Sequence, residues 1–371
     1  MKQDRQQYIE VKSLEEMPQP ADGLVQHYVF QYIDFRKAPD YATKMHFCDC
    51  LFTGCIIPAN MRRRFYDGCL DFPRLGMPYV AFRTGLYTGR TLYEGFDPDR
   101  EESFEECFDT RIYRDYIAKG KRADCFKETL ARTLHDHSIS DAMHDLLARY
   151  DEKDVVAIMG GHAMKRSDEC YTKIACISKK LTEAGKLMVS GGGPGAMEAT
   201  HLGAWMAGRS GDELRDALSM LACAPTFRDK GWLSSAFAVM DKYPQDKYRS
   251  LGVPTWFYGH EPATPFATDI AKYFDNSIRE DSILTIAMGG IIYTPGAAGT
   301  LQEIFQDGAQ NHYETFGYAS PMVFFGVDYY TKEIPVYPLL QQLMKDGKYQ
   351  HLILSITDDC DQAADFLINW K

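Results

Sequence analysis

Residues 291 to 303 read as an apolar strand, Ile291-Ile292-Tyr293, that passes through Pro295-Gly296-Ala297-Ala298-Gly299 straight into a helix opening at Thr300. A strand, a short glycine-rich turn and a helix in that order is a junction built to hold an anion. The turn residues are small enough for a ligand to lie against the backbone, and the first N–H groups of the helix point at it with the positive end of the dipole. A second junction of the same design lies upstream, where Leu187-Met188-Val189-Ser190 feeds Gly191-Gly192-Gly193-Pro194-Gly195 and then Ala196-Met197-Glu198. Two such turns in one sheet point to one phosphorylated ligand held from both sides.

From Asp154 onward strands and helices alternate. Val155 to Met159 is an apolar strand ending in Gly160-Gly161-His162, and Ser167 is expected to cap a helix that stops at Gly185. Further strands are expected at 186–190, 217–224, 290–294, 322–326 and 351–355, with helices at 194–208, 265–286, from Thr300, and at 336–346. Continuous apolar strands alternating with helices indicate an α/β fold, a Rossmann-like doubly wound parallel sheet. Ligands of such sheets sit beyond the carboxyl ends of the strands, where Gly160 to His162, Gly191 to Gly195 and Gly296 to Thr300 all fall. Residues 1–150 read as a smaller mixed α+β domain, and 151–371 as the Rossmann-like domain that carries the three turns.

The 371 residues carry a net charge of -11, which argues against nucleic acid as a partner, since phosphate-backbone binding needs a basic surface. Arg62-Arg63-Arg64 reads as a solvated turn. No apolar run approaches the roughly 20 residues needed to cross a bilayer, and the start lacks the core of a signal peptide, so a cytoplasmic protein is expected. Ten cysteines without a tight framework of spacings suit reduced, structural thiols. His46, Cys48, Cys50 and Cys55 match no common zinc spacing. The five-residue rhythm of Phe47, Phe52 and Ile57, with Cys50 and Cys55 in step, reads as the interior of a coiled β-ribbon, and no metal site is assigned.

Two readings stand for each candidate residue. The 191–196 stretch fits the dinucleotide fingerprint poorly, because no acidic residue ends the following strand. It is either a tight turn with Pro194 at the first helical position or a phosphate contact. Thr300-Leu301-Gln302-Glu303 has the spacing of a capping box, yet it sets a carboxylate one turn from a phosphate cradle, where acid/base work or stabilisation of a cation is done. Asp307 shares that helix face, and Asn311 and His312 lie further along it. The run Pro254-Thr255-Trp256-Phe257-Tyr258-Gly259-His260-Glu261 is either core or an aromatic platform for a base.

The motifs Gly191-Gly192-Gly193-Pro194-Gly195-Ala196-Met197-Glu198 and Pro295-Gly296-Ala297-Ala298-Gly299-Thr300-Leu301-Gln302-Glu303 resemble the Lonely Guy family of nucleotide phosphoribohydrolases, long mislabelled lysine decarboxylases. Together with Gly160-Gly161-His162 they look most like its longer bacterial nucleotide 5'-monophosphate nucleosidases, over about residues 150 to 371. The resemblance implies hydrolysis of a nucleoside 5'-monophosphate to base and ribose 5-phosphate, a homodimer or higher homo-oligomer, and nucleotide contacts from all three turns. It also implies catalysis by Glu303 with Arg279. Two departures stand out. Ala297 replaces the second glycine of Pro-Gly-Gly-x-Gly-Thr-x-x-Glu and either narrows the cradle or needs a negative φ, and one extra residue separates Arg279 from Pro295. Arg279 is alternatively a partner of Glu280 or Asp281. A nucleotide-binding sensor or carrier without turnover is the second reading. A nicotinamide-dependent oxidoreductase lacks the ribose acid, and a pyridoxal-phosphate enzyme lacks a lysine in the turns.

Overall fold

The strands Val155–Met159, Leu187–Ser190, Ile291–Tyr293 and Pro321–Phe325 are buried at every residue, as strands are when both faces of a sheet are covered. The computed structural model describes residues 8–259 and 261–370. The chain divides into two units, a smaller one of residues up to 86 with 117–143, and a larger one of 87–116 with the residues from 144 on. Residues 87–116 and 144–150, which precede the expected start of the catalytic domain at 151, thus belong to the larger unit.

The smaller unit is a parallel coil. Strands β1 (Ile9–Val11), β3 (Tyr28–Gln31), β5 (Leu51–Thr53) and β6 (Leu70–Phe72) lie side by side in one sheet, and β2 (Leu24–Gln26) pairs with β4 (His46–Cys48) in another. Short helices α1 (Pro39–Lys44) and α2 (Ala59–Arg62) join them. Val25 registers with Phe47 and Phe30 with Phe52, so each turn of the coil advances the chain by roughly 20 residues. The interior is a ladder of rings: Phe30 stacks on Phe52 at 5.1 Å, and Phe52 on Phe65 at 4.5 Å. The five-residue rhythm is this interior. Cys50 and Cys55 fill it beside Phe47 and Phe52, their thiols donating to Val25 O and Phe30 O, and burial pushes them up to about 11 and about 12.

Three helices follow before the large sheet, α3 (Gly89–Leu92), α4 (Phe108–Ala118) and α5 (Phe126–Leu147). The larger unit is a Rossmann-like α/β fold on seven parallel strands, β7 (Val155–Met159), β8 (Leu187–Ser190), β9 (Ser250–Gly252), β10 (Asp269–Ile270), β11 (Ile291–Tyr293), β12 (Pro321–Phe325) and β13 (Ile353–Thr357). Their order across the sheet is β10-β9-β8-β7-β11-β12-β13. The chain therefore starts in the middle, winds outward to β10, and returns to the other side of β7 with β11. The connecting helices are α6 (Glu169–Glu183), α7 (Ala196–Trp205), α8 (Gly211–Leu221), α9 (Trp232–Lys242), α10 (Asn276–Ile286), α11 (Ala298–Tyr313), α12 (Val336–Lys345) and the closing α13 (Cys360–Ile368). No helix of the described residues is long and apolar enough to cross a membrane.

The strand expected at 217–224 is helix instead. Ser210 and Glu213 form a capping box, and Leu214, Ala217, Leu218 and Leu221 lie buried along one face of α8 at helical spacing. Its place in the sheet is taken by β9 and β10, from the stretch read as insertion and early helix; α10 starts only at Asn276, after the Asp275 side chain accepts the Ser277 N–H. The expected cap at Ser167 also moves by one residue, to Asp168.

α7 is buried from Ala196 to Ala204, on every side. Gly203 permits this, because a Cβ there would stand 2.2 Å from Ala175 O of α6. A helix so enclosed has to satisfy its polar side chains internally, and α7 does so except at His201 Nε2, which is buried without a partner among the described residues. Thr200 Oγ1 donates to Ala196 O at 2.9 Å, and His201 Nδ1 lies 3.0 Å from Ser250 Oγ. Burial depresses the His201 imidazolium to about 3, so the ring is neutral at physiological pH.

Candidate active site

The order of the strands reverses between β7 and β11, and in open α/β sheets the crevice at such a reversal is where ligands bind. Here it opens as a cavity of about 920 Å³. Its walls include Gly160, Gly161 and His162 beyond β7, Gly191 and Met197 beside β8, Arg279 and Glu280 from α10, and Pro295 to Thr300 with Gln302 and Glu303 from the start of α11.

The two loops that form the floor touch backbone to backbone. Thr294 N–H donates to Met159 O at 2.8 Å and Gly161 N–H to Pro295 O at 3.2 Å. A Cβ on Gly160 would lie 1.9 Å from Thr294 Oγ1, and one on Gly296 would lie 2.1 Å from Thr300 Oγ1. A side chain at Gly160 would push the loops apart, and one at Gly296 would displace Thr300. The turn then enters α11 with Ala297 as its N-cap residue, at φ −99° and ψ −141°. The negative φ that alanine requires is met. The N–H groups of the first helical turn, Ala298 to Thr300, have no acceptor within the helix and lie on the cavity wall.

Thr300 is not the cap. It sits inside the first turn of α11, Ala297 supplies no side-chain cap, and the capping box expected of Thr300 and Glu303 does not form. The helix begins two residues earlier because the small turn residues Ala298 and Gly299 already adopt helical geometry. Glu303 is thereby released from a structural duty. Among the described residues its carboxylate accepts no hydrogen bond, and it lines the cavity. Burial raises it to about 7, with Arg279 pulling it down and Glu280 pushing it up.

Arg279 reaches the same cavity from α10. Its Nε donates to Val253 O at 3.0 Å, which leaves the Nη atoms directed along the wall; Nη2 lies 2.4 Å from where a Cβ of Gly191 would stand. The alternative pairing with Glu280 or Asp281 is not adopted. Glu280 accepts from Asn276 Nδ2 and Gln302 Nε2, at 2.7 and 3.2 Å, and Asp281 from Gln306 Nε2 at 2.6 Å.

The upstream glycine turn contributes less than its sequence suggests. Gly192, Gly193 and Ala196 are buried and do not line the cavity; Gly192 O accepts the Thr264 N–H at 2.8 Å, and Ala196 N–H is spent on Gly161 O at 3.2 Å. Gly195, at φ +71°, packs so closely on Gly161 O that a Cβ would stand 2.5 Å away. Pro194, Gly195 and Glu198 border a smaller recess of about 130 Å³ that shares His162 with the main cavity. Glu198 itself is enclosed, held by Arg166 and by Tyr171 Oη at 3.0 Å. Asp307 is buried against Tyr293 Oη at 2.8 Å and burial raises it to about 7. Asn311 braces Ser320, and His312 Nδ1 accepts the Gln350 N–H. None of these three lines the cavity.

The aromatic run divides. Trp256 is core, its indole N–H donating to Asp109 at 2.9 Å beside the buried Lys272–Asp109 ion pair. Tyr258 and Glu261 reach the cavity, and Glu261 Oε1 lies 3.6 Å from His162 Nδ1. His260 lies outside the described residues. Sequence reasoning missed Glu261 as a wall residue, Arg166 as the partner of Glu198, and Tyr329, which lines the cavity from beyond β12. Only Tyr329 carried a usable signal, its place just past the carboxyl end of a predicted strand.

No family model and no curated protein matches the chain. Among solved structures, that of TM1055, a structural-genomics target, is similar over 57% of this chain and 97% of its own, with a TM-score of 0.36 and 16% identity.

Proposed function

We propose that the chain hydrolyses the N-glycosidic bond of nucleoside 5'-monophosphates, releasing the base and ribose 5-phosphate. One observation carries the reading: the anion-seeking turn that opens α11 and an unpaired, elevated carboxylate, Glu303, stand one helical turn apart on the wall of one cavity, with Arg279 opposite. The resemblance of both glycine motifs to the phosphoribohydrolases supports it.

In this reading the 5'-phosphate rests on the N–H groups of Ala297 to Thr300, which fixes the ribose and turns binding energy into alignment of the scissile bond. The bond from C1' to the base nitrogen breaks as the C1'–oxygen bond to water forms. Glu303, as carboxylate, stabilises the cationic ribose or takes the water proton, which passes on to the leaving base. A group near 7 exchanges protons readily at neutral pH. Arg279 holds ribose or phosphate oxygens with its planar fork, and Tyr258 offers a ring to the base. The resemblance also implies a homodimer, which sedimentation velocity would register.

The test compares AMP, GMP, CMP and UMP with their nucleosides, following free base. A site built around a polar group rejects analogues lacking it by up to about 10⁴ to 10⁵, so the monophosphates should be cleaved and the nucleosides nearly ignored. Equal rates within each pair would remove the phosphate from the reading. Tight nucleotide binding without base release would assign a sensor.

A further inference from the structure

Three consecutive main-chain carbonyls lead into the turn before α11, and each is taken by a donor from elsewhere in the unit. Thr294 O accepts from Tyr330 Oη at 2.7 Å, Pro295 O from Gly161 N at 3.2 Å, and Gly296 O from Tyr329 Oη at 2.5 Å. A trans peptide is planar, with its N–H pointing opposite its C=O, and the described peptide bonds are all trans. Whatever holds a carbonyl therefore aims the N–H of the next residue the other way. Gly161 sets the direction of the Gly296 N–H, and Tyr329 sets that of Ala297. Tyr330 aims nothing, because the residue after Thr294 is Pro295, which has no N–H.

The two tyrosines come from one device. β12 is followed by Gly326, whose φ of +122° suits only glycine and lets the chain turn across Pro295 into a π-helical turn, Tyr329–Glu333. Such turns recur at functional sites. This one presents consecutive phenols to carbonyls two residues apart. Tyr330 is fully buried, with its ring edge-on to Phe324 at 5.0 Å, while Tyr329 is half-buried and forms part of the cavity wall.

We propose that Tyr329 is a positioning residue for the anion turn: its hydroxyl, acting through Gly296 O, aims the Ala297 N–H at the phosphate and so sets affinity for the phosphorylated end of the ligand. Tyr330 makes the same kind of bond one peptide earlier than Gly161 does and serves stability alone. The inference rests on the phosphate site proposed above.

The experiment is calorimetric titration of the full chain with inorganic phosphate and with ribose 5-phosphate, for the parent, Tyr329→Phe and Tyr330→Phe, beside thermal unfolding and steady-state kinetics. Phe keeps each ring and removes only the hydroxyl. Tyr329→Phe is expected to weaken both ligands about tenfold and to raise KM with little change in kcat, the loss expected for one hydrogen bond. Tyr330→Phe is expected to lower Tm, since it leaves the buried Thr294 O unpaired, and to bind both ligands as the parent does. Parental affinity in Tyr329→Phe, or equal weakening in both variants, overturns the assignment while leaving the phosphate site standing. A parent that binds neither ligand overturns both.

Discussion

Arg166 and Glu198 form a bidentate ion pair, Nε to Oε2 at 2.9 Å and Nη2 to Oε1 at 2.6 Å, with both side chains buried. The guanidinium is satisfied further by Ser235 Oγ at 2.9 Å and Trp232 O at 3.0 Å. Glu198→Ala would leave that charge unpaired in a dry site and should cost about 3–5 kcal/mol of stability, read by urea unfolding. An unchanged midpoint with loss of nucleotide binding would make Glu198 a ligand contact.

Gly191 shields the aim of Arg279. An alanine Cβ there would stand 2.4 Å from Arg279 Nη2 and 2.6 Å from Met197 Sδ, both of them ends of flexible side chains. The fold should therefore accept Gly191→Ala while the guanidinium is displaced. A displacement approaching 1 Å at a reacting centre costs about 10² in rate, so kcat/KM should fall by that order with Tm nearly kept. Parental kinetics would show that Arg279 has room to spare.

Glu303→Gln should abolish turnover and yet stabilise the protein at alkaline pH. The carboxyl stands at about 7 in the folded chain against an ordinary 4.5. Below 4.5 it is protonated in both states and burial carries no charge penalty. As pH rises from there through 7, the unfolded chain releases the proton first, stability is lost, and the loss is complete above 7. Glutamine is neutral throughout. Its gain in Tm should be largest at pH 8 and shrink toward pH 5; a gain independent of pH would separate it from the carboxylate's charge.

The same group predicts the pH profile of catalysis. If Glu303 acts as a carboxylate, kcat/KM, which reports the free enzyme, should climb through pH 7 to a plateau. A profile falling through that range would make its protonated form the active one.

The strand-to-helix junctions were legible because small residues at the carboxyl end of an apolar run leave few alternatives, and both motifs lie where the sheet needs them. That Glu303 and Arg279 face one cavity was legible through spacing and resemblance. The capping box failed because Thr300-Leu301-Gln302-Glu303 has the right residues, but Ala298 and Gly299 let the helix begin earlier and leave Thr300 inside its first turn. The 217–224 strand failed because Leu218 to Ala224 is apolar enough for either structure, and only the Ser210–Glu213 cap and the spacing of Leu214, Ala217 and Leu221 decide for helix. The glycines at 191–195 advertise a ligand, yet part of their smallness serves close packing against the Gly161 carbonyl and the Pro254 ring that no local pattern reveals.

The ladder of Phe30, Phe52 and Phe65 fixes the currency in which the N-terminal unit can change length. Phe30 and Phe52 stand in register one turn apart with their rings stacked, so a whole turn can be added or removed and stacked rings still meet. A single inserted residue would rotate every later side chain out of the stack. The unit is therefore expected to accept the gain or loss of a complete turn of the coil more readily than that of a single residue within a strand.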